Sequence, residues 1–129
     1  MELGNALNWF EIPVSDFERA KKFYETIFNY QMPESNMGSA RMGFFLYDFK
    51  EGKVGGAIVH DPSFHKPSAE GSLIYLNCQP DLQIVLSKVK EAGGNVLKEK
   101  TLISAEQQLG YWALISDTEG NRVALHSMG

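Results

Sequence analysis

The feature that most limits what this chain can become is an internal repeat. The helix-opening Asp16 stands 65 residues before Asp81, and the turn glycine Gly52 stands 68 residues before Gly120. Glu51-Gly52 and Glu119-Gly120 fall in equivalent turns, and Gly-Ala-Ile-Val at 56–59 matches Val-Ala-Leu-His at 123–126. A duplicated supersecondary unit buries, against its neighbour, surface that neither copy covers alone.

Each copy spells the same order of elements. Residues 6–14 alternate with period two, putting Trp9, Glu11 and Pro13 on one face and Phe10, Ile12 and Val14 on the other, which predicts a strand. Ser15-Asp16 followed by Glu18 resembles a capping box, and Phe17, Ala20, Phe23, Tyr24, Ile27 and Phe28 recur at helical spacing. Strands are expected at 29–34, 41–49 and 54–60, the last after the Lys50-Glu51-Gly52-Lys53 turn. Pro62, Pro67 and Gly71 mark a connector. The order then returns: a strand at 72–78, a helix opened by Asp81 and stopped by Gly93-Gly94, and strands at 95–101, 110–116 and 122–127. The reading is an α+β fold over 1–129, with βαβββ modules in tandem at 5–61 and 71–128, a connector at 62–70, and curved mixed sheets around a cavity.

Composition removes several classes of function. The 129 residues are 43% hydrophobic and 12% aromatic, enough for one real core. With 12 basic against 16 acidic residues, a net charge of -4 and no basic cluster, nucleic acid is not an expected partner. No apolar run suits a membrane span and the first residues do not resemble a signal peptide, so a cytoplasmic address away from membranes is expected. The single cysteine, Cys78, has no partner thiol and reads as a small buried hydrophobe. Serine-elbow, dinucleotide and P-loop motifs are missing, as are the His-x-His and His-Glu-x-x-His metal patterns.

In a βαβββ module the helix covers one sheet face, and the other is free to line a pocket. The uniformly apolar Phe10/Ile12/Val14 set suits the helix side, so Trp9 and Glu11 are expected on the pocket side. There Glu11 is either a partly desolvated base or acceptor, or an ordinary solvated carboxylate. Trp9 is either a stacking platform or core filling. Tyr111 and Trp112 are adjacent on a strand and point to opposite faces; parity does not say which reaches the pocket. His126, alternating with Ala124, is a candidate acid, base or donor, with a structural role as the alternative.

Three stretches add a resemblance. Asn8-Trp9-Phe10-Glu11-Ile12-Pro13-Val14 with Asp16 and Phe23-Tyr24, then Ala92-Gly93-Gly94-Asn95-Val96, then Gly110-Tyr111-Trp112-Ala113 through Asp117-Thr118-Glu119-Gly120-Asn121-Arg122-Val123, together resemble the vicinal oxygen chelate superfamily of glyoxalase, bleomycin-resistance and dioxygenase domains. Metal-dependent members take four ligands from the first and last strands of each module. The resemblance places those positions at Trp9, Ala57, Ser72 and Ala124, of which only the Ser72 hydroxyl is even a weak donor. The implied protein is a metal-free, cofactor-free binder or sequestering module for a small organic ligand. Trp9, Glu11, Ser72, Tyr111, Trp112 and His126 contact the ligand, and the chain forms a homodimer whose modules pair within or between chains. The alternative is a small-molecule lyase or isomerase related to lactoylglutathione lyase, or a dioxygenase-like enzyme, using Glu11 and His126 as acid/base groups.

Overall fold

In β1 (Trp9–Pro13) the alternation sends Phe10 and Ile12 toward a helix and Trp9 and Glu11 away from it. The computed structural model covers residues 1–129. The first module continues through α1 (Phe17–Phe28), β2 (Glu34–Met37), β3 (Ala40–Phe44) and β4 (Gly55–His60). The second comprises β5 (Ile74–Asn77), α2 (Leu82–Leu86), β6 (Asn95–Leu102), β7 (Tyr111–Ser116) and β8 (Arg122–Ser127). Strand order is β1-β4-β3-β2 in one sheet and β5-β8-β7-β6 in the other, the same topology twice. In each, the first strand lies parallel to the last and the remaining pairs are antiparallel. The fold is α+β with two tandem modules, as the repeat implies.

Several boundaries differ from the sequence reading for local reasons. The first strand after α1 begins at Glu34, not at residue 29, because Asn29 takes a left-handed cap conformation and the Met32 N–H donates to Glu25 Oε2. The strand expected at 41–49 ends at Phe44. Beyond it the Leu46 N–H turns to the Tyr30 hydroxyl, and Asp48 caps a single 3-10 turn at Phe49–Glu51. The second helix holds α-geometry only over Leu82–Leu86, after which i→i+3 bonds such as Lys88 N–H to Val85 O tighten the chain. Asp16 caps α1 by accepting from the Arg19 N–H, while the N–H of Asp16 goes to Glu119, not to Glu18.

One core joins both modules on their helix sides. Ile12, Phe23, Tyr24 and Ile58 from the first pack in a single cluster with Leu76, Leu82, Ile115 and Leu125 from the second, all buried. The two sheets are not closed on each other. They flank a cavity along the free edge of β5, and the faces turned away from the helices remain open in a single chain. No helix is long and apolar enough to cross a membrane.

A polar latch holds the modules at the start of α1. The Glu119 carboxylate, in the turn before β8, accepts from the N–H and hydroxyl of Ser15, the N–H of Asp16, the Arg19 guanidinium and the Thr118 hydroxyl at 2.8–3.1 Å. Burial alone would raise its pKa, but these donors outweigh that cost and hold the carboxyl at about 2. Beside it, Asp117 accepts from Tyr24 Oη at 2.7 Å and from Asn121 Nδ2 at 3.0 Å, and Asn121 Nδ2 also donates to Pro13 O at 2.8 Å. Burial, then the Asp117 charge, keeps the Tyr24 phenol far above its usual range and therefore protonated.

Candidate functional site

Because β1 lies on β4 in register, Trp9, Glu11 and Pro13 share the open face with Gly55, Ala57 and Val59. Met42 and Phe44 of β3 extend it, forming with Ala57 and Val59 a small cluster separate from the main core. Trp9 meets Phe44 and Tyr47 edge-on, with centroids 6.0 and 6.1 Å apart. The glycine pair makes this possible. A Cβ at Gly55 would run into the Tyr47 ring on the open side, and one at Gly56 into the Phe10 ring on the helix side.

Glu11 sits on this open face, where the alternation of β1 puts it. Its side chain is 34% exposed, and its nearest polar partner is His65 of the connector, with Nε2 3.9 Å from Glu11 Oε1. His60 ends β4 with a structural role, its Nδ1–H donating to Val14 O at 3.0 Å.

The second open face carries Tyr75 and Asn77 of β5, Ala124 and His126 of β8, and Trp112 and Leu114 of β7, aligned by the strand register. Tyr75 and Trp112 lie tilted with centroids 6.3 Å apart, and the Lys98 ammonium stands over the Trp112 ring at 5.6 Å. His126 Nε2 is 2.7 Å from Leu109 O. A carbonyl only accepts, so this nitrogen carries the proton and Nδ1 is left as an acceptor in the neutral ring.

The structure separates the residues named from sequence. Trp9 and Glu11 lie on one open face, Trp112 and His126 on the other. Tyr111 is corrected to the helix side, where it packs on the main core under the Lys100 ammonium. Ser72 precedes β5, and the alternation that exposes Tyr75 and Asn77 on the open face passes it by. Sequence reasoning missed Tyr75, Lys98 and Phe44; the alternation of β5 around the apolar Ile74 and Leu76 was the available signal for Tyr75.

The metal positions implied by the resemblance can be tested on donor chemistry. Trp9, Ala57 and Ala124 carry no ligating atom, and no three His, Cys, Asp or Glu side chains anywhere come close enough to share a cation. The residues do not fit a divalent metal site of the usual composition.

Against known proteins, residues 6–125 match the family model of the Glyoxalase/Bleomycin resistance protein/Dioxygenase superfamily. No curated protein matches the sequence. Among solved structures, TnmS3, an antibiotic binding protein from Streptomyces sp. CB03234, is similar at 21% identity and a TM-score of 0.65, with 98% of each chain covered. The fosfomycin resistance protein FosX from Listeria monocytogenes is similar at 18% identity and a TM-score of 0.61, over 98% of this chain and 92% of that one. A glyoxalase I variant from Zea mays gives a TM-score of 0.67 at 16% identity; 95% of this chain aligns with 46% of that chain, so the present sequence spans under half of its length.

Proposed function

Since the chain belongs to the Glyoxalase/Bleomycin resistance protein/Dioxygenase superfamily, its function turns on what its open faces hold, and we propose that it binds and sequesters a small aromatic organic molecule without a metal. One observation carries this reading. Each open face presents an aromatic platform, Trp9 with Phe44 and Tyr47 on one and Trp112 with Tyr75 on the other, beside a few polar groups, Glu11 and His65 on the first and Asn77, Lys98 and His126 on the second. Apolar walls with a few placed polar groups are the usual make-up of a small-molecule pocket. The antibiotic-binding protein of similar fold supports binding as the activity.

The pocket is completed by a second copy. A single chain leaves Met37 and Tyr75 of these faces 59% and 54% exposed. Apposing the first face of one copy with the second face of another covers both and brings Trp9 and Glu11 toward the partner's Trp112 and the partner's His126. Trp9, Ala57 and Ala124, three of the positions where metal-dependent relatives are expected to place ligands, carry no ligating atom, which supports a metal-free pocket.

The chain's two tryptophans, Trp9 and Trp112, both lie on the open faces, so their fluorescence reports occupancy directly. Titration with a panel of aromatic antibiotics is expected to quench it saturably, with sedimentation at the mass of a dimer and the compound recovered unaltered. Chemical conversion of the compound, near-stoichiometric bound metal in the purified protein, or a monomer that binds with full affinity would each overturn the reading.

A second reading, metal-free acid/base catalysis, is favoured by the Glu11–His65 contact on the first open face. Under it, Glu11→Gln abolishes turnover while fluorescence quenching persists; unaltered turnover removes Glu11 as the base.

A further inference from the structure

The latch closes the modules at the start of α1, but at the helix's other end they part. There Phe28 and Tyr30 from the exit of α1, Phe10 from β1 and Phe45 from the segment after β3 face the free edge of β5 across a cavity of about 710 Å³. Its floor comes from the helix sides of both modules, while Tyr47 and Gly55 of the first open face and Tyr75 and Asn77 of the second reach its edge. It therefore adjoins both faces without including Trp9 or Trp112. Its volume lies in the range of roughly 300–1,000 Å³ common for small-ligand pockets.

Few polar groups reach this space, and those that do have unused capacity. The Cys78 N–H donates to His126 O, so alternation turns the backbones of Leu76 and Ile74 toward β8 and those of Tyr75 and Asn77 toward the free edge. The Tyr30 hydroxyl accepts from the Leu46 N–H at 3.2 Å and retains its own proton to donate. At the rim stand Asp48 and Lys53. Asp48 Oδ1 accepts from the Glu51 N–H, whereas the Lys53 ammonium pairs with no carboxylate.

We propose that this inter-module cavity is a second ligand site, taking a flat aromatic anion whose rings lie among Phe10, Phe28, Phe45 and the β5 edge and whose carboxylate or sulfonate meets Lys53. The aromatic walls supply ring stacking and desolvation, and of the two charges at the mouth the Asp48 carboxylate is engaged by the Glu51 N–H while the Lys53 ammonium is left to meet an anion.

The test uses two fluorescent probes on the intact protein: 8-anilinonaphthalene-1-sulfonate, an aromatic anion, and N-phenyl-1-naphthylamine, its neutral counterpart. Saturable binding of one sulfonate probe per chain is expected. Lys53→Met should weaken the sulfonate about fivefold, the scale of one solvent-exposed charge pair, and leave the neutral probe unchanged. Ile74→Trp, which fills the cavity from the β5 side, should weaken both. Trp112→Ala, on the open face, should weaken neither, which separates this site from the antibiotic pocket proposed above. Equal affinity of the sulfonate for wild type and Lys53→Met, or its loss in Trp112→Ala, would overturn the assignment. Lys53 is exposed, so its variant gives a decisive result even where Ile74→Trp fails to fold.

Discussion

The latch and the open faces are built from similar residues in opposite ways. At the latch, both carboxylates have their acceptor sites occupied: Asp117 by Tyr24, Glu119 N–H and Asn121, Glu119 by Ser15, Asp16, Arg19 and Thr118. On the open faces Glu11 has only a distant histidine, His126 keeps an acceptor nitrogen free, and Lys98 rests on an aromatic face. Satisfied buried networks hold a structure in one arrangement, and unsatisfied exposed groups remain available to something else. The difference teaches where this chain holds its shape and where it keeps polar groups uncommitted.

The sharpest way to break the comparison is at Asp117. Asp117→Ala leaves the fully buried Tyr24 hydroxyl and the Asn121 amide without an acceptor, at an expected cost of about 3–5 kcal/mol in urea unfolding. A loss below about 1 kcal/mol would show that the latch does not hold the modules.

Next in size is a pH effect at Glu119. Its folded carboxyl sits at about 2 against an ordinary 4.5, so its contribution is fully present above pH 4.5 and disappears as pH falls toward 2. Linkage puts that contribution on the order of 3 kcal/mol. Unfolding free energy measured between pH 5 and 2 should therefore fall more steeply in wild type than in Glu119→Gln; parallel curves would remove Glu119 from the latch.

Much of the fold was legible because its signals are local. Uniformly apolar Phe10, Ile12 and Val14 identified the helix side of β1, and with it the open face of Trp9 and Glu11. The strand expected at 122–127 matches β8 because Gly120 and the apolar alternation of Val123 and Leu125 bracket it. The latch was not legible: Glu119 and Asp16 are 103 residues apart, and a turn glutamate before a glycine, which Glu51 also is, carries no mark of a partner in the other module. The Tyr111/Trp112 ambiguity also needed the structure, since two aromatics in succession satisfy either parity. The inter-module cavity arises from aromatics scattered over three elements and has no sequence signature at all.

On the open face the expected effects on stability are small and those on binding large. Trp112→Ala removes a half-buried ring and should cost about 1 kcal/mol in unfolding, yet weaken a quenching antibiotic at least tenfold if the ring is the platform. A stability loss near that of Asp117→Ala would place Trp112 with the latch as core filling.

Glu11 is the finest test of the comparison. Its contact with His65 is 3.9 Å long between side chains 34% and 39% exposed, a geometry in which an ion pair contributes at most about 1 kcal/mol. Glu11→Gln keeps the shape and an acceptor oxygen while removing the charge, so unfolding should change by no more than about 0.5 kcal/mol. Both occupants of the first open face, a bound ligand and a catalytic base, predict that same small change, because neither role asks the carboxylate to support the fold. A loss of several kcal/mol would mean that Glu11 is already committed to holding structure, as Glu119 is, and the first open face would then lack the free polar group on which both readings of its chemistry depend.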